Sequence, residues 1–341
     1  MSVETDRLEV LITVPFPEEL VDELRKVSPR LNVTARTFKK PEDLPAEVWK
    51  RTQVLYAARQ LPDAKLVPNL KWFQSHFVGI ESELGSGIFE KPELLITTMS
   101  GAAPQVAEYA VTMMLALGHR LLDLMQNQRE GGWPERRWER FEPLELRGST
   151  VGLLGYGSIG REIARLLQPF GVTVLAAKRD VMHPQDTGFQ LEGIGDPEGR
   201  FFTRLYPIEA RRSMLSECDF VVSTLPNTPE TLGLIGWQEL AALKPSAFLV
   251  DVGRGGVIDP GALYEALKKK TLAGAALDVF SEEPLPQDSP FWSLPNVIIS
   301  PHIAWASPQY RHRAIKLFAE NLRRYLAGEP LYNQYDPHKG Y

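Results

Sequence analysis

Cysteine is nearly absent from this chain: its 341 residues include one, Cys218. A single thiol excludes an intrachain disulfide and a cysteine-rich zinc site, so no metal is expected, and Cys218 reads as a small buried hydrophobe. An excess of positive charge is missing too. The net charge is -5 and the Lys and Arg residues are scattered, which leaves no electrostatic case for nucleic acid or an anionic membrane. No apolar run approaches a membrane span; the longest helix-like one, around 111–117, is far too short. The opening MSVETDRLEV is acidic and polar, unlike a secretory signal. These absences point to a cytoplasmic protein, and the length suits two domains with separate cores.

What the chain does have is a glycine fingerprint in the right setting. Residues 151–154 form a short apolar strand pattern that runs into Gly155-x-Gly157-x-x-Gly160. A helical pattern follows, with Ile159, Ile163, Leu166, Leu167 and Phe170 on one side. Gly171 stands where a helix is commonly stopped, and 172–177 reads as the next strand. In that order the first glycine permits the tight turn, the second lets a pyrophosphate approach the backbone, and the third allows close packing. The helix start adds free N–H groups and a positive dipole end. A dinucleotide site is the expectation.

The first hundred residues read as a separate α/β unit, with strands at 8–14, 54–57, 72–75 and 94–98 and a helix at 17–27. A long helix is expected from Pro104 to about Gln128, apolar on more than one face. Such a helix needs cover on several sides, between domains or in a subunit interface, which favours a homodimer; full burial within one domain is the plain alternative. After 150, strands at 172–177, 220–225, 247–252, 275–277 and 297–299 alternate with helices, the mark of a parallel sheet covered on both faces. The segment 183–207 fits neither helix nor strand and reads as an insertion. A C-terminal helix at about 309–326 is expected to return to the first unit.

In open parallel sheets, ligands bind beyond the carboxyl ends of the strands. Here three strand ends deliver Arg254 after Gly253, Asp278 followed by Glu283, and His302 after Pro301. Each has a bland rival: an ion pair, a solvated loop, a satisfied surface histidine. Their joint placement beside a dinucleotide fingerprint favours function.

These motifs resemble the D-isomer-specific 2-hydroxyacid dehydrogenase family, through VAE at 106–108, GYGSIG at 155–160, LPNTPETLGLIG at 225–236 and VDVGRGGVID at 250–259. ALDVFSEEPLP at 276–286 and NVIISPHIA at 296–304 complete the series, with a looser match through FVGIE at 77–81. The resemblance implies two Rossmann-like α/β domains. A flavodoxin-like substrate domain (1–103 and 307–341) would be interrupted by a doubly wound dinucleotide-binding domain (104–306), with hinges near 101–104 and 305–308 and the active site in the cleft. It implies NAD(P)-dependent interconversion of a small D-2-hydroxy acid and its 2-oxo acid, of the glyoxylate or hydroxypyruvate type. His302 would be the acid/base, since an imidazole exchanges a proton near neutral pH. Glu283 would bond its other ring nitrogen, fixing the tautomer and favouring the protonated ring. Arg254 would clamp the substrate carboxylate and polarise the carbonyl, a two-pronged task that suits a guanidinium. Val78 and Gly79 backbone N–H groups would also take the carboxylate, with Trp305 near the substrate. The cofactor would lie against Gly155, Gly157, Ser158, Ile159, Gly160, Leu225, Pro226, Thr231, Val252, Gly253 and Asp278, although Asp278 could instead cap the turn that follows it. His76 adjoins the carboxylate loop; His119, His183, His312 and His338 match no catalytic position.

Some positions depart from the pattern. Where NAD-dependent relatives carry an acid for the ribose 2′-hydroxyl, this chain has Lys178 and Arg179. That pair attracts a 2′-phosphate, so NADP(H) is favoured, with NAD(H) as the alternative because Asp180 lies close by. The 183–207 insertion, with Arg200 and Arg204, covers the adenosine end or is an idle loop. Glu81 replaces a usual Asp, Trp305 is bulky for a position near the substrate, and Trp133 and Trp138 lie in a linker expected to shape the pocket from a partner subunit. Formate and phosphite dehydrogenases resemble the family too, though the formate enzymes lack a His–Glu pair. A nucleotide-sensing binding protein is the non-enzymatic alternative.

Overall fold

The computed structural model describes residues 7–81, 83–337 and 340. By backbone contacts the chain divides into two compact units, Met1–Ala102 with Ser307–Tyr341, and Ala103–Ala306.

The first unit contains β1 (Leu8–Ile12), α1 (Glu18–Arg25), β2 (Leu31–Ala35), α2 (Ala46–Arg51), β3 (Val54–Ala57), β4 (Trp72–Ser75) and β5 (Leu95–Thr97). Its parallel sheet has the order β2-β1-β3-β4-β5, the flavodoxin-like arrangement. β2, LNVTA, was not expected: its residues alternate, but a five-residue edge strand with two of them buried gives a weak signal.

The second unit begins with α3 (Ala103–Gly118), α4 (Leu121–Glu130) and α5 (Arg137–Arg140). Here the single helix expected from Pro104 to Gln128 is corrected to two. Arg120 adopts a left-handed backbone, φ 52°, between them. Gly118 approaches the chain so closely that a Cβ there would lie 2.5 Å from the Leu144 carbonyl oxygen. Apolar spacing is continuous across this break, so periodicity alone cannot reveal it. α3 is deeply buried, whereas Leu121, Leu124 and Met125 on α4 are each more than two-fifths exposed.

There follow β6 (Thr150–Leu154), α6 (Ser158–Leu167), β7 (Thr173–Lys178), β8 (Arg204–Pro207), α7 (Arg211–Leu215), β9 (Phe220–Ser223), α8 (Trp237–Ala242), β10 (Phe248–Asp251), α9 (Pro260–Lys268), β11 (Gly274–Leu277) and β12 (Val297–Ile299). The sheet order is β12-β11-β10-β9-β6-β7-β8, all parallel, which is the doubly wound Rossmann order with one added strand. The insertion is therefore shorter than expected, because Arg204–Pro207 is the edge strand. A charged start and a terminal proline disguise it, and both are tolerated at an edge. Cys218 is fully buried, its thiol facing the Met214 carbonyl and pushed up to about 12 by burial.

The chain re-enters the first unit through α10 (Tyr310–Ala327), which lays Phe318 against Tyr56 and Trp72, with ring centroids 4.9 and 5.3 Å apart. Phe318 is wholly buried, so truncating it to Ala would cost about 3–5 kcal/mol.

Candidate active site

β6 ends in the fingerprint, and its glycines divide the work. Gly155 has φ 100°, and a Cβ there would lie 2.7 Å from Thr224 Oγ1. At Gly160 a Cβ would stand 2.3 Å from the Gly155 carbonyl oxygen, so this position admits only glycine without a shift. Around Gly157 a Cβ would meet nothing within 4 Å. Open space thus lies before Ser158 and Ile159, the first residues of α6, whose N–H groups have no partner earlier in the helix. A pyrophosphate fits that cradle.

At the end of β7, Lys178 Nζ donates to the His183 carbonyl at 2.8 Å, and Arg179 Nη2 pairs with Glu230 Oε2 at 2.6 Å. Burial and the nearby Arg161 pull the Lys178 ammonium below its ordinary value. Asp180 is turned the other way, accepting from the Met182 N–H and bonding His183 Nδ1 at 2.7 Å.

The segment that follows is fastened to the fingerprint helix. Arg161 is 2% exposed and donates to the carbonyls of Asp196 and Pro184, each at 2.6 Å. Tyr156, inside the fingerprint, donates its hydroxyl to Asp196 Oδ2 at 2.6 Å, and Glu162 accepts the Gly195 N–H. Asp196 in turn accepts the N–H groups of Arg200 and Phe201. Sequence reading missed this latch. Its signal was present: Arg161 and Glu162 are charged residues on a helix otherwise marked by its apolar stripe.

Beyond β9, Leu225 and Pro226 lead into a turn closed by Thr231, whose Oγ1 donates to the Pro226 carbonyl and accepts the Thr228 N–H. Beyond β10, Val252 is buried and Gly253 abuts this segment; a Cβ there would lie 2.6 Å from the Leu225 carbonyl oxygen. Asn227 Nδ2 also donates to the Gly255 carbonyl, tying the loop that carries Arg254 to the 225–231 turn. Arg254 Nη1 donates to the Gly253 carbonyl. Asp251 accepts the Gly253 N–H, and burial first, then its neighbour Asp278, push its carboxyl up to about 7.

His302 and Glu283 meet, with Nδ1 and Oε2 2.8 Å apart. A carboxylate only accepts, so Nδ1 carries the proton and Nε2 is left as the working nitrogen. Glu283 is itself oriented by the Phe280 N–H on Oε1. His302 has φ 51°, an uncommon left-handed conformation for a side-chain-bearing residue. Asp278 enforces it. Its carbonyl accepts the His302 N–H, and its carboxylate accepts those of Ile303 and Ala304. Ser300 Oγ donates to the same carboxylate at 2.5 Å, so Tyr109, on α3, must donate to Ser300. Of the two roles open to Asp278, the structure displays the cap of the His302 turn. Trp305 packs its indole back on this turn, donating from Nε1 to the His302 carbonyl.

In the first unit, Val78 and Gly79 follow β4, and Val78 is exposed. His76 is buried, bonded to Tyr56 through Nδ1 at 2.8 Å, while its carbonyl accepts the Tyr310 hydroxyl. Burial, with Arg311 adding to it, lowers His76 to about 4, so it serves as a neutral core residue. His338 lies outside the described residues.

The geometry defines a nucleotide-binding Rossmann unit that carries an arginine beyond β10, a glutamate beyond β11 and a histidine, oriented by that glutamate, beyond β12. Residues 111–304 match the family described as D-isomer specific 2-hydroxyacid dehydrogenase, NAD binding domain. The chain is 30% identical over 329 residues to a D-3-phosphoglycerate dehydrogenase of Archaeoglobus fulgidus, which takes in 96% of this chain but only 59% of that relative's length. It is 34% identical over 270 residues to glyoxylate/hydroxypyruvate reductase B of Pectobacterium carotovorum, covering 79% of this chain and 80% of that one. The crystal structure of a D-isomer specific 2-hydroxyacid dehydrogenase from Xanthobacter autotrophicus Py2, in complex with NADPH and MES, is similar with TM-score 0.79 and 28% identity, covering 98% of this chain and 100% of the other. The chain belongs to the D-isomer-specific 2-hydroxyacid dehydrogenase family, a family of NAD(P)-dependent oxidoreductases. Among the described residues, no helix is long and apolar enough to cross a membrane.

Proposed function

We propose that this protein reduces a small 2-oxo acid to its D-2-hydroxy acid, with glyoxylate and hydroxypyruvate as the first substrates to test and NADPH preferred over NADH. The observation that carries the reading is the His302–Glu283 pair, held by Asp278 beside the Arg254 loop in a unit whose glycine cradle fits a dinucleotide. When bound, a reduced nicotinamide supplies the hydride. His302 Nε2 then gives a proton to the substrate oxygen, and Glu283 balances the imidazolium that must be present beforehand. Arg254 holds the carboxylate and draws electron density from the carbonyl. Trp305, whose indole packs back on the His302 turn, restricts the size of the acid. The similarity to glyoxylate/hydroxypyruvate reductase B of Pectobacterium carotovorum supports this substrate class.

The reading is tested by following loss of reduced-nicotinamide absorbance with each acid and each cofactor. Faster loss with NADPH supports both parts. Tight NADPH binding without turnover of any 2-oxo acid would favour a nucleotide-sensing role instead. Replacing Lys178→Asp together with Arg179→Ala should weaken NADPH binding far more than NADH binding; equal losses would remove the 2′-phosphate argument.

A second copy of the chain is the proposed partner. The exposed Leu121, Leu124 and Met125 of α4, with Trp133 and Trp138 nearby in sequence, support an apolar contact surface. Light scattering after gel filtration tests for a dimer.

A further inference from the structure

We propose that Glu230 governs discrimination between nucleotides with and without a 2′-phosphate, by occupying Arg179 until a phosphate displaces it. The inference rests on the nucleotide-binding reading above and extends it to a residue outside the fingerprint.

Sheet order supplies the first step. β6 lies between β7 and β9, and the chain leaves its end through the Gly155 turn. Arg179 directly follows β7, and Glu230 lies in the turn after β9. Their 2.6 Å ion pair therefore joins the connections on either side of β6. That is the switch point of the sheet, where a crevice opens beyond the strand ends.

Chemistry supplies the second. A guanidinium recognises carboxylate and phosphate with the same fork of donors, so Glu230 holds Arg179 as a 2′-phosphate would. The pair is exposed, 41% at Arg179 and 68% at Glu230, and pairs of this kind are weak. A phosphate, with up to about two negative charges, can displace it. A nucleotide bearing only the 2′-hydroxyl has no charge with which to compete.

The surroundings favour this exchange. Glu230 stands on a fixed base, since Thr228 and Thr231, both buried, bond each other across the turn. Asp180, the acid nearest Arg179 in sequence, is engaged with Met182 and His183. Lys178 is held at the His183 carbonyl by a loop latched through Arg161 and Tyr156, which keeps a second cation beside the first.

The test uses the whole chain and two probes of the adenosine end, adenosine 2′,5′-bisphosphate and adenosine 5′-monophosphate, titrated by calorimetry. Glu230→Gln should tighten the bisphosphate by roughly three- to fivefold and leave the monophosphate within about twofold. Arg179→Ala should erase that gain when combined with Glu230→Gln. Raised salt should shrink it, as screening acts on exposed charges. Equal shifts for both probes, no shift for either, or a gain that survives Arg179→Ala would overturn the proposal while leaving the nucleotide reading intact. Binding of neither probe to the unaltered chain would overturn both.

Discussion

Asp278 holds His302 from behind: its carbonyl oxygen accepts the His302 N–H at 2.9 Å, and its carboxylate takes the next two N–H groups, also at 2.9 Å. The left-handed backbone at His302 is thereby over-determined, and a strained conformation persists where its neighbours specify it. Asp278→Ala should keep the backbone bond to the His302 N–H but leave the Ile303 and Ala304 N–H groups unsatisfied, cost about 2–3 kcal/mol of stability, and lower kcat by roughly two orders of magnitude. Ser300→Ala, which removes one of the four bonds to Asp278, should be milder in both readouts. A kcat unchanged in Asp278→Ala would show that the turn is held by something else.

The chemistry itself rests on His302 and Glu283. His302→Ala should lower turnover by about 10²–10⁴-fold while nucleotide binding is kept. Glu283→Gln retains an acceptor for Nδ1–H but loses the charge that balances an imidazolium, so an intermediate loss of roughly 10–100-fold is expected. Steady-state rates paired with cofactor titrations separate the two effects. Near-normal turnover in His302→Ala would remove its acid/base role.

Gly255 joins two parts of the site. A Cβ at this position would lie 1.8 Å from the Phe280 carbonyl oxygen, so the loop bearing Arg254 and the loop bearing Glu283 would be forced apart. Gly255→Ala should cost about 2–3 kcal/mol by the overpacking rule and abolish most activity. Thermal melting with an activity assay checks it, and a stable, active variant would contradict the close approach.

Stability at mild acidity should depend on His76. Its folded value is depressed to about 4 from 6.5. A depressed histidine stabilises the fold above its unfolded value, and that contribution is lost as pH falls from about 6.5 towards 4. The upper limit is about 3 kcal/mol. Replacing His76→Asn should flatten the urea midpoint across this window, whereas a profile as steep as that of the unaltered chain would place the sensitivity elsewhere.

Much of this was legible before folding, for local reasons. The glycine fingerprint, the Gly171 stop and the apolar strands of the nucleotide unit are short-range patterns, and the observed elements follow them within a few residues. The edge strands β2 and β8 were not legible: β2 is a five-residue strand with two residues buried, and β8 begins on an arginine and ends on a proline. The break at Arg120 was missed because the apolar spacing runs on across it, although Gly118 stands just before it as a local stop signal.

By itself the sequence determined which chemistries were available: one thiol, a dinucleotide turn, and an arginine, a glutamate and a histidine placed after successive strands. Which of these side chains meet was decided by tertiary structure. The pairing of Glu283 with His302, the capture of the His302 turn by Asp278, the latch from Tyr156 and Arg161 to Asp196, and the Arg179–Glu230 pair link residues up to 51 positions apart. The cause is the parallel sheet, which sets strand ends side by side whatever their separation along the chain, and hydrogen bonds form only between groups so placed.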